Sequence, residues 1–191
     1  MPDVITRPVV VSVHRSAAHA FSKAASHAVQ LIAGLGVEGD AHAGPHDQHV
    51  YHIRKFGKVP NLRQVHLIQT ETLDELRGRG HVVRPGELGE NIATRDLDLL
   101  ALPTGTRLAL GPEAVIELTG LRNPCVQIDR FQPGLMSQLV ARTAAGVVRK
   151  CGVMSIVVRG GEVKPGDPIT VTLPPLPHTP LTYVPPVPAG A

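Results

Sequence analysis

Tryptophan is absent from this chain of 191 residues, and aromatic side chains total 3%, as three phenylalanines and two tyrosines. So few flat side chains leave few platforms on which single-stranded bases could stack. Cysteine is almost as scarce. Cys125 and Cys151 are the two present, too few for a disulfide framework and not arranged as the C-x-x-C pair of a zinc knuckle or a thioredoxin-like site. A reducing compartment is therefore expected. No apolar run approaches the roughly 20 residues that span a bilayer, and the opening MPDVITRPVVVSVHRS lacks the basic start and small-residue cleavage site of a secretory leader. The expectation is a cytoplasmic protein that engages no membrane. Blocks of like charge are also missing. The net charge of +3 comes from scattered basic residues, a pattern that argues against a nucleic-acid partner and for a small anionic ligand.

Glycine and proline are abundant, at 19 and 18 residues, and they punctuate short runs of Val, Ile and Leu in the manner of β-structure. Strands are predicted at Val9–Val13, Ala28–Ile32, Gln64–Gln69, Asn91–Thr94, Arg107–Leu110, Ala114–Thr119, Val153–Val158 and Ile169–Leu173. Two segments read as helix: Thr72–Arg77, with Leu73 and Leu76 three apart, and Pro133–Arg142, where Leu135, Met136, Leu139 and Val140 form one face. Eight short strands with two helices predict a mainly β fold, closed or nearly closed as a β-barrel because an open sheet leaves exposed edges. One domain is expected over 1–175. The proline-rich remainder, 176–191, is expected to run extended over the surface or to be partly disordered.

Four clusters carry candidate chemistry. In TGLRNPCVQID (119–129), Pro124 stiffens the backbone beside Cys125, and Arg122 lies close enough in sequence to stabilise a thiolate or hold an anion. The same residues also suit an inert buried cysteine. In GLGVEGDAHAG (34–44), the glycines, Gly36 and Gly39 among them, allow a backbone cradle for an anion, and Glu38, Asp40 and His42 offer ionisable groups. An ordinary glycine-rich turn explains it equally well. The segment lacks both the strand-GxGxxG-helix context and the GK[ST] of nucleotide motifs. PNLRQVHLIQTE (60–71) brings Arg63, Gln64 and His66 into a strand, and RPGELGENIATR (84–95) places Asn91 after a tight turn, able to hydrogen-bond a heterocycle. A further run, HAGPHDQHVYH (42–52), reads as a loop. Its His42, His46 and His49 suggest a zinc hydrolase, although the spacing matches no common zinc motif and surface histidines are the alternative.

Taken in order, GVEGDAHAG, NLRQVHLI with Glu71, PGELGENI, TGLRNPC, CGVMSIVVRGG and VKPGD resemble the MOSC domain family, named after the C-terminal part of molybdenum cofactor sulfurases. The resemblance spans residues 28–173 and implies a stand-alone bacterial-type member, a β-barrel with a few short flanking helices. It implies that Cys125 matches the family's functional cysteine. That cysteine is either the thiolate ligand of molybdenum in relatives that reduce N-hydroxylated compounds, or a sulfur carrier through a persulfide. On this view Arg63, Arg122 and the loop holding Gly36 and Gly39 bind the phosphate of the molybdenum cofactor, while Asp40, His42 and Asn91 line the pocket near the metal. Cys125, Asp40 and His42 are then the catalytic candidates. No aminotransferase-like domain is present, so pyridoxal phosphate is not expected to bind this chain. Nor is there a ferredoxin or flavin domain, so the resemblance implies a separate electron-donor protein for reduction, or a cysteine desulfurase for sulfur transfer. Cys151 is a possible resolving thiol but better suits the core.

Overall fold

A computed structural model describes residues 7–144 and 146–184, and of Val50 and Tyr51 the backbone alone. The first six residues of the opening stretch read as lacking a leader, and residues 185–191 of the expected extension, lie outside the described residues. In chain order the elements are β1 (Val9–Arg15), β2 (Ala24–Ser26), β3 (Val29–Ile32), β4 (Gly36–Val37), α1 (Val50–Phe56), β5 (Val65–Gln69), α2 (Thr70–Gly78) and β6 (Ile92–Arg95). After a 3₁₀ turn at Leu99–Ala101 come β7 (Arg107–Leu110), β8 (Ala114–Leu121), α3 (Gln127–Phe131), α4 (Leu135–Leu139), β9 (Val140–Thr143), β10 (Gly146–Arg149), β11 (Val153–Arg159), β12 (Gly161–Val163) and β13 (Ile169–Thr172).

All eight expected strands are present within a residue or two of their predicted bounds. Their sequence pattern explains the burial. In β8, Ala114, Ile116, Leu118 and Gly120 alternate inward against half-exposed neighbours, the period of two that a pleated strand requires. Ala114, Ile116 and Leu118 meet Val10, Leu67, Ile92 and Val153 in one core cluster. A second core lies beneath the helices, where Leu73 and Leu76 of α2 pack with Ile68, Leu88, Ile128, Leu135 and Cys151. Glu71 in the first turn of α2 and Arg77 in the last complement the helix dipole.

The sheet does not close. Eight strands form one open sheet in the order β13-β7-β8-β11-β5-β6-β1-β2, beside a three-stranded sheet β12-β3-β4 and the hairpin β9-β10. The expected closed barrel is therefore corrected to open sheets. The two sides of the large sheet do approach: Val9 forms an isolated bridge with Pro168, and the Val10 amide donates to the Asp167 carbonyl at 2.9 Å. The Ile169 amide likewise donates to the Pro8 carbonyl at 2.9 Å, but the contact stays an isolated bridge and does not extend into a ladder.

Three further segments differ from expectation. The helix expected over Pro133–Arg142 is confined to Leu135–Leu139, because Gly134 before it is left-handed (φ 81°) and the β-branched Val140 starts a strand. From Val140 the chain forms a hairpin in which Arg142 faces Val147. The histidine-rich segment read as a loop contains α1, which has no side-chain cap and no acidic residue in its first turn. At the C-terminal side, residues 179–184 form no strand but are bonded to the domain. The amides of Thr104 and Leu121 donate to the carbonyls of Thr179 (2.8 Å) and Thr182 (2.7 Å), and Leu181 and Val184 are buried. Among the described residues no helix is long and apolar enough to cross a membrane.

Candidate functional site

β8 ends at Leu121 and delivers the next four residues to the mouth of a pocket. The Arg122 amide donates to the Gly152 carbonyl at 2.9 Å, and the Cys125 carbonyl receives the Ile128 amide at 3.0 Å as α3 begins. Arg122 and Cys125 line one cavity together with Arg63, His42 and Asn91. The sequence thus named these five lining residues, from four separate segments, and His49 and His66 besides. Cys125 is half-buried, with its thiol 3.7 Å from Gln127 Oε1. The Nη1 of Arg122 is buried and has no hydrogen-bond partner.

Asp40 lies behind the lining, at the centre of a polar network. Its Oδ2 accepts from Lys23 Nζ at 2.8 Å, from Asn91 Nδ2 at 3.1 Å and from the Ser16 amide at 3.2 Å. Its Oδ1 accepts from the His42 amide at 3.0 Å and lies 3.3 Å from His42 Nδ1. Burial alone would raise the Asp40 pKa, but the His42 contacts and the Lys23 ammonium outweigh it and hold the carboxyl well below the usual carboxylate range. Lys23 is pulled down by burial and held up by Asp40. This lysine lines the cavity and was missed in the sequence, where AFSKAASH carries no signal. Its position is set by the PGELGEN turn. Gly86 (φ 90°) and Gly89 (φ 84°) press against the Lys23 and Phe21 carbonyls, where a Cβ would come within 2.6 and 2.5 Å.

Asn91 serves as an internal brace. Besides Asp40, its amide donates to the His14 carbonyl at 3.2 Å, and its Oδ1 accepts the His66 amide at 3.2 Å. Both donors expected to reach a heterocycle are thus committed inward. Gly36 and Gly39 do not line the cavity. Gly36 (φ 117°) lets β4 approach the start of β5, where a Cβ would meet the Gln64 carbonyl at 2.7 Å, and Gly39 (φ 74°) makes the turn that presents Asp40. Gln64 and His66 are buried as a pair, and Val65 between them is buried on the opposite face. Both faces of β5 are therefore interior.

The histidines of the 42–52 run are not gathered for a metal. Among the described residues no three His, Cys, Asp or Glu side chains converge as ligands. His52 Nδ1 pairs with Asp47 at 2.7 Å and its ring stacks on His49 at 4.5 Å, while His46 forms a bridge with Pro60. The zinc reading loses its geometry.

Two neutral histidines lie under the pocket. His66 Nε2 sits 2.8 Å from the Cys151 carbonyl, and burial first, then the Arg122 charge, pushes its pKa well below 6.5. Burial and then Lys23 lower His14 from 6.5 to about 4. Both groups bind protons more readily when unfolded, so the stability they contribute is full above pH 6.5 and is lost as pH falls towards about 4. Urea midpoints measured between pH 7 and pH 4.5 are expected to fall steadily, and His14→Gln is expected to flatten that fall. An equal slope in the variant would remove His14 from the account.

Lys23, Arg63 and Arg122 against Asp47 in the lining and Asp40 behind it leave the cavity with surplus positive charge. The profile of the MOSC domain matches residues 39–170, which include Arg63, Arg122 and Cys125 but not Lys23. Among solved structures, the YuaD protein of Bacillus subtilis is 26% identical with a TM-score of 0.70, over 86% of this chain and 95% of that one. The fold is shared with YiiM from Escherichia coli, 22% identical with a TM-score of 0.61 over 91% of this chain and 73% of that one. It is shared also with YiiM from Geobacillus stearothermophilus, at 15% and 0.57 over 90% and 76%. No curated protein matches this sequence.

Proposed function

Since the chain belongs to the MOSC domain family, we propose that its pocket binds the molybdenum cofactor, with Cys125 as a thiolate ligand of molybdenum, and supports reduction of N-hydroxylated compounds. The observation that carries this reading is Arg122. A guanidinium N–H buried without an acceptor costs about 1–3 kcal/mol, and an anionic group in the cavity would remove that cost.

The residues fit such a group. Arg122 and Arg63 would hold a phosphate, Arg122 with a planar fork of donors suited to its oxygens. Asn123 and Gln127, both in the lining, offer amides to a heterocycle, and the soft sulfur of Cys125 suits molybdenum. When bound, the cofactor supplies two-electron redox chemistry. The chain's own part is to orient and to move protons. Reducing an N–OH group to N–H takes two electrons and two protons and releases water. His42, held at Nδ1 by Asp40, keeps Nε2 for carrying a proton within the cavity. Electrons would come from a separate donor protein.

Cys125→Ser is expected to lower molybdenum per chain roughly tenfold, because a serine hydroxyl is a poor replacement for a soft ligand while the cationic contacts persist. The measurement is metal content of protein purified without oxygen from cells competent in cofactor synthesis. Equal molybdenum in the variant would sink the ligand role.

The half-buried position of Cys125 favours a second reading, a sulfur carrier loaded by a cysteine desulfurase. Cys151 is not its resolving thiol on this account: it is fully buried in the second core, and burial pushes its pKa up to about 11. A metal-free wild type that gains one sulfur atom on Cys125 after desulfurase treatment would support the carrier over the reductase.

A further inference from the structure

We propose that residues 179–184 form a strap that completes the anion-binding rim of the pocket by pinning Arg63 and Arg149 against the ring of Tyr183. The strap lies beyond the residues that the MOSC profile matches. Its anchoring is backbone pairing together with two buried side chains. Pro103 bridges Pro180, and Leu121 bridges Tyr183 in parallel; Thr104 Oγ1 also donates to the Pro180 carbonyl at 3.3 Å. β7 and the two residues before it pair with β8 only as far as Leu118, so the strap covers the edge that the last residues of β8 would otherwise leave open. Gly120 makes this close approach possible. A Cβ there would collide with Val184 Cγ2 and the Thr182 carbonyl.

The strap meets the pocket through two arginines. Arg63, which lines the cavity, donates from Nη2 to the Val184 carbonyl, and its guanidinium carbon lies 5.2 Å from the Tyr183 ring centre. Arg149 approaches the same ring at 5.9 Å while its Nε donates to Asn123 Oδ1 at 3.3 Å. Asn123 is itself part of the lining. Two guanidinium groups repel, and free side chains would separate. The negative face of one aromatic ring and one carbonyl oxygen offset that repulsion and hold both at the mouth. One donor of Arg63 goes to Val184, which leaves the rest of its fork for a ligand. Tyr183 is thus a positioning residue that acts through the arginines.

The test reads the field at Cys125 and is independent of whether the pocket takes a molybdenum cofactor. Full-length protein made in cells that cannot synthesise that cofactor is alkylated at Cys125 with iodoacetate, which is anionic, and with iodoacetamide, which is neutral. In both reactions the thiolate displaces iodide, so the ratio of the two rates cancels thiol access and reactivity and reports local charge. Tyr183→Ala is expected to lower the iodoacetate-to-iodoacetamide ratio about threefold at low salt, with the difference fading in about 1 M salt. Gly120→Ala, which displaces the strap without altering it, should do the same, and Tyr183→Phe, which keeps the ring, should match wild type. An unchanged or higher ratio in Tyr183→Ala overturns the proposal. So does a fall in Tyr183→Phe as large as in Tyr183→Ala, since the effect would then belong to the hydroxyl.

Discussion

On the proposed function, Arg122→Met is expected to bind the molybdenum cofactor roughly a hundredfold less tightly and yet to unfold at a higher urea concentration than wild type. The two effects share one cause. The buried Nη1 of Arg122 has no acceptor, so the folded protein carries a desolvated cation whose partner, on the proposed function, the ligand would supply. Methionine keeps the apolar stem and removes the unmet donor, which should add about 1 kcal/mol of stability. The gain is limited because the Arg122 charge also opposes the effect of burial on Glu90, whose carboxyl is raised and whose Oε2 has no partner. Losing a charge-assisted contact to a phosphate costs about 3 kcal/mol of binding, the hundredfold expected. Retained molybdenum per chain and a urea titration of the same preparations decide the matter. A variant that is less stable would make Arg122 a structural residue. One that keeps its affinity would move the anion anchor elsewhere in the cavity.

What the sequence made legible was local. The run RLAL between TGT and GPE specified β7 to the residue because turn signals bound it on both sides, and TGLRNPC marked Arg122 and Cys125 because a proline stiffens the chain between them. The pairing of Lys23 with Asp40 left no such trace. It joins residues on different turns, and neither neighbourhood has a periodicity that predicts it. Asn91 was recognisable as a pocket residue, but its bonds to Asp40, His14 and His66 were not, since a side chain's hydrogen-bond partners depend on which strands lie beside it. Closure of the sheet also lay beyond local reading: it turned on whether the contact of Pro168 with β1 grew beyond one isolated bridge. The hairpin after Leu139 was missed because Leu135, Met136, Leu139 and Val140 fit a helical face, and only pairing with residues 146–149 favours the strand. The docking of residues 179–184 was invisible for a related reason, because buried Leu181 and Val184 lie three residues apart among prolines and give no strand alternation.

The Lys23–Asp40 pair should give the largest stability effect in the molecule. Both side chains are nearly inaccessible, at 4% and 3% exposure, with 2.8 Å between charged atoms. Lys23→Met leaves the Asp40 carboxylate buried with hydrogen bonds but no counter-charge, which costs about 3–5 kcal/mol. Asp40→Asn should cost less, because an amine whose pKa is already lowered by burial can shed its proton and become neutral. Combining Lys23→Met with Asp40→Asn removes both charges and should recover much of the loss, giving a coupling of about 2–3 kcal/mol in a double-mutant cycle of urea unfolding energies. Additive losses would mean that the two side chains act through separate packing. The double variant also separates structure from binding. Removing one positive and one negative charge leaves the surplus from Arg63 and Arg122 unchanged, so anion affinity should survive in it, whereas Lys23→Met alone should weaken anion binding through the unbalanced carboxylate.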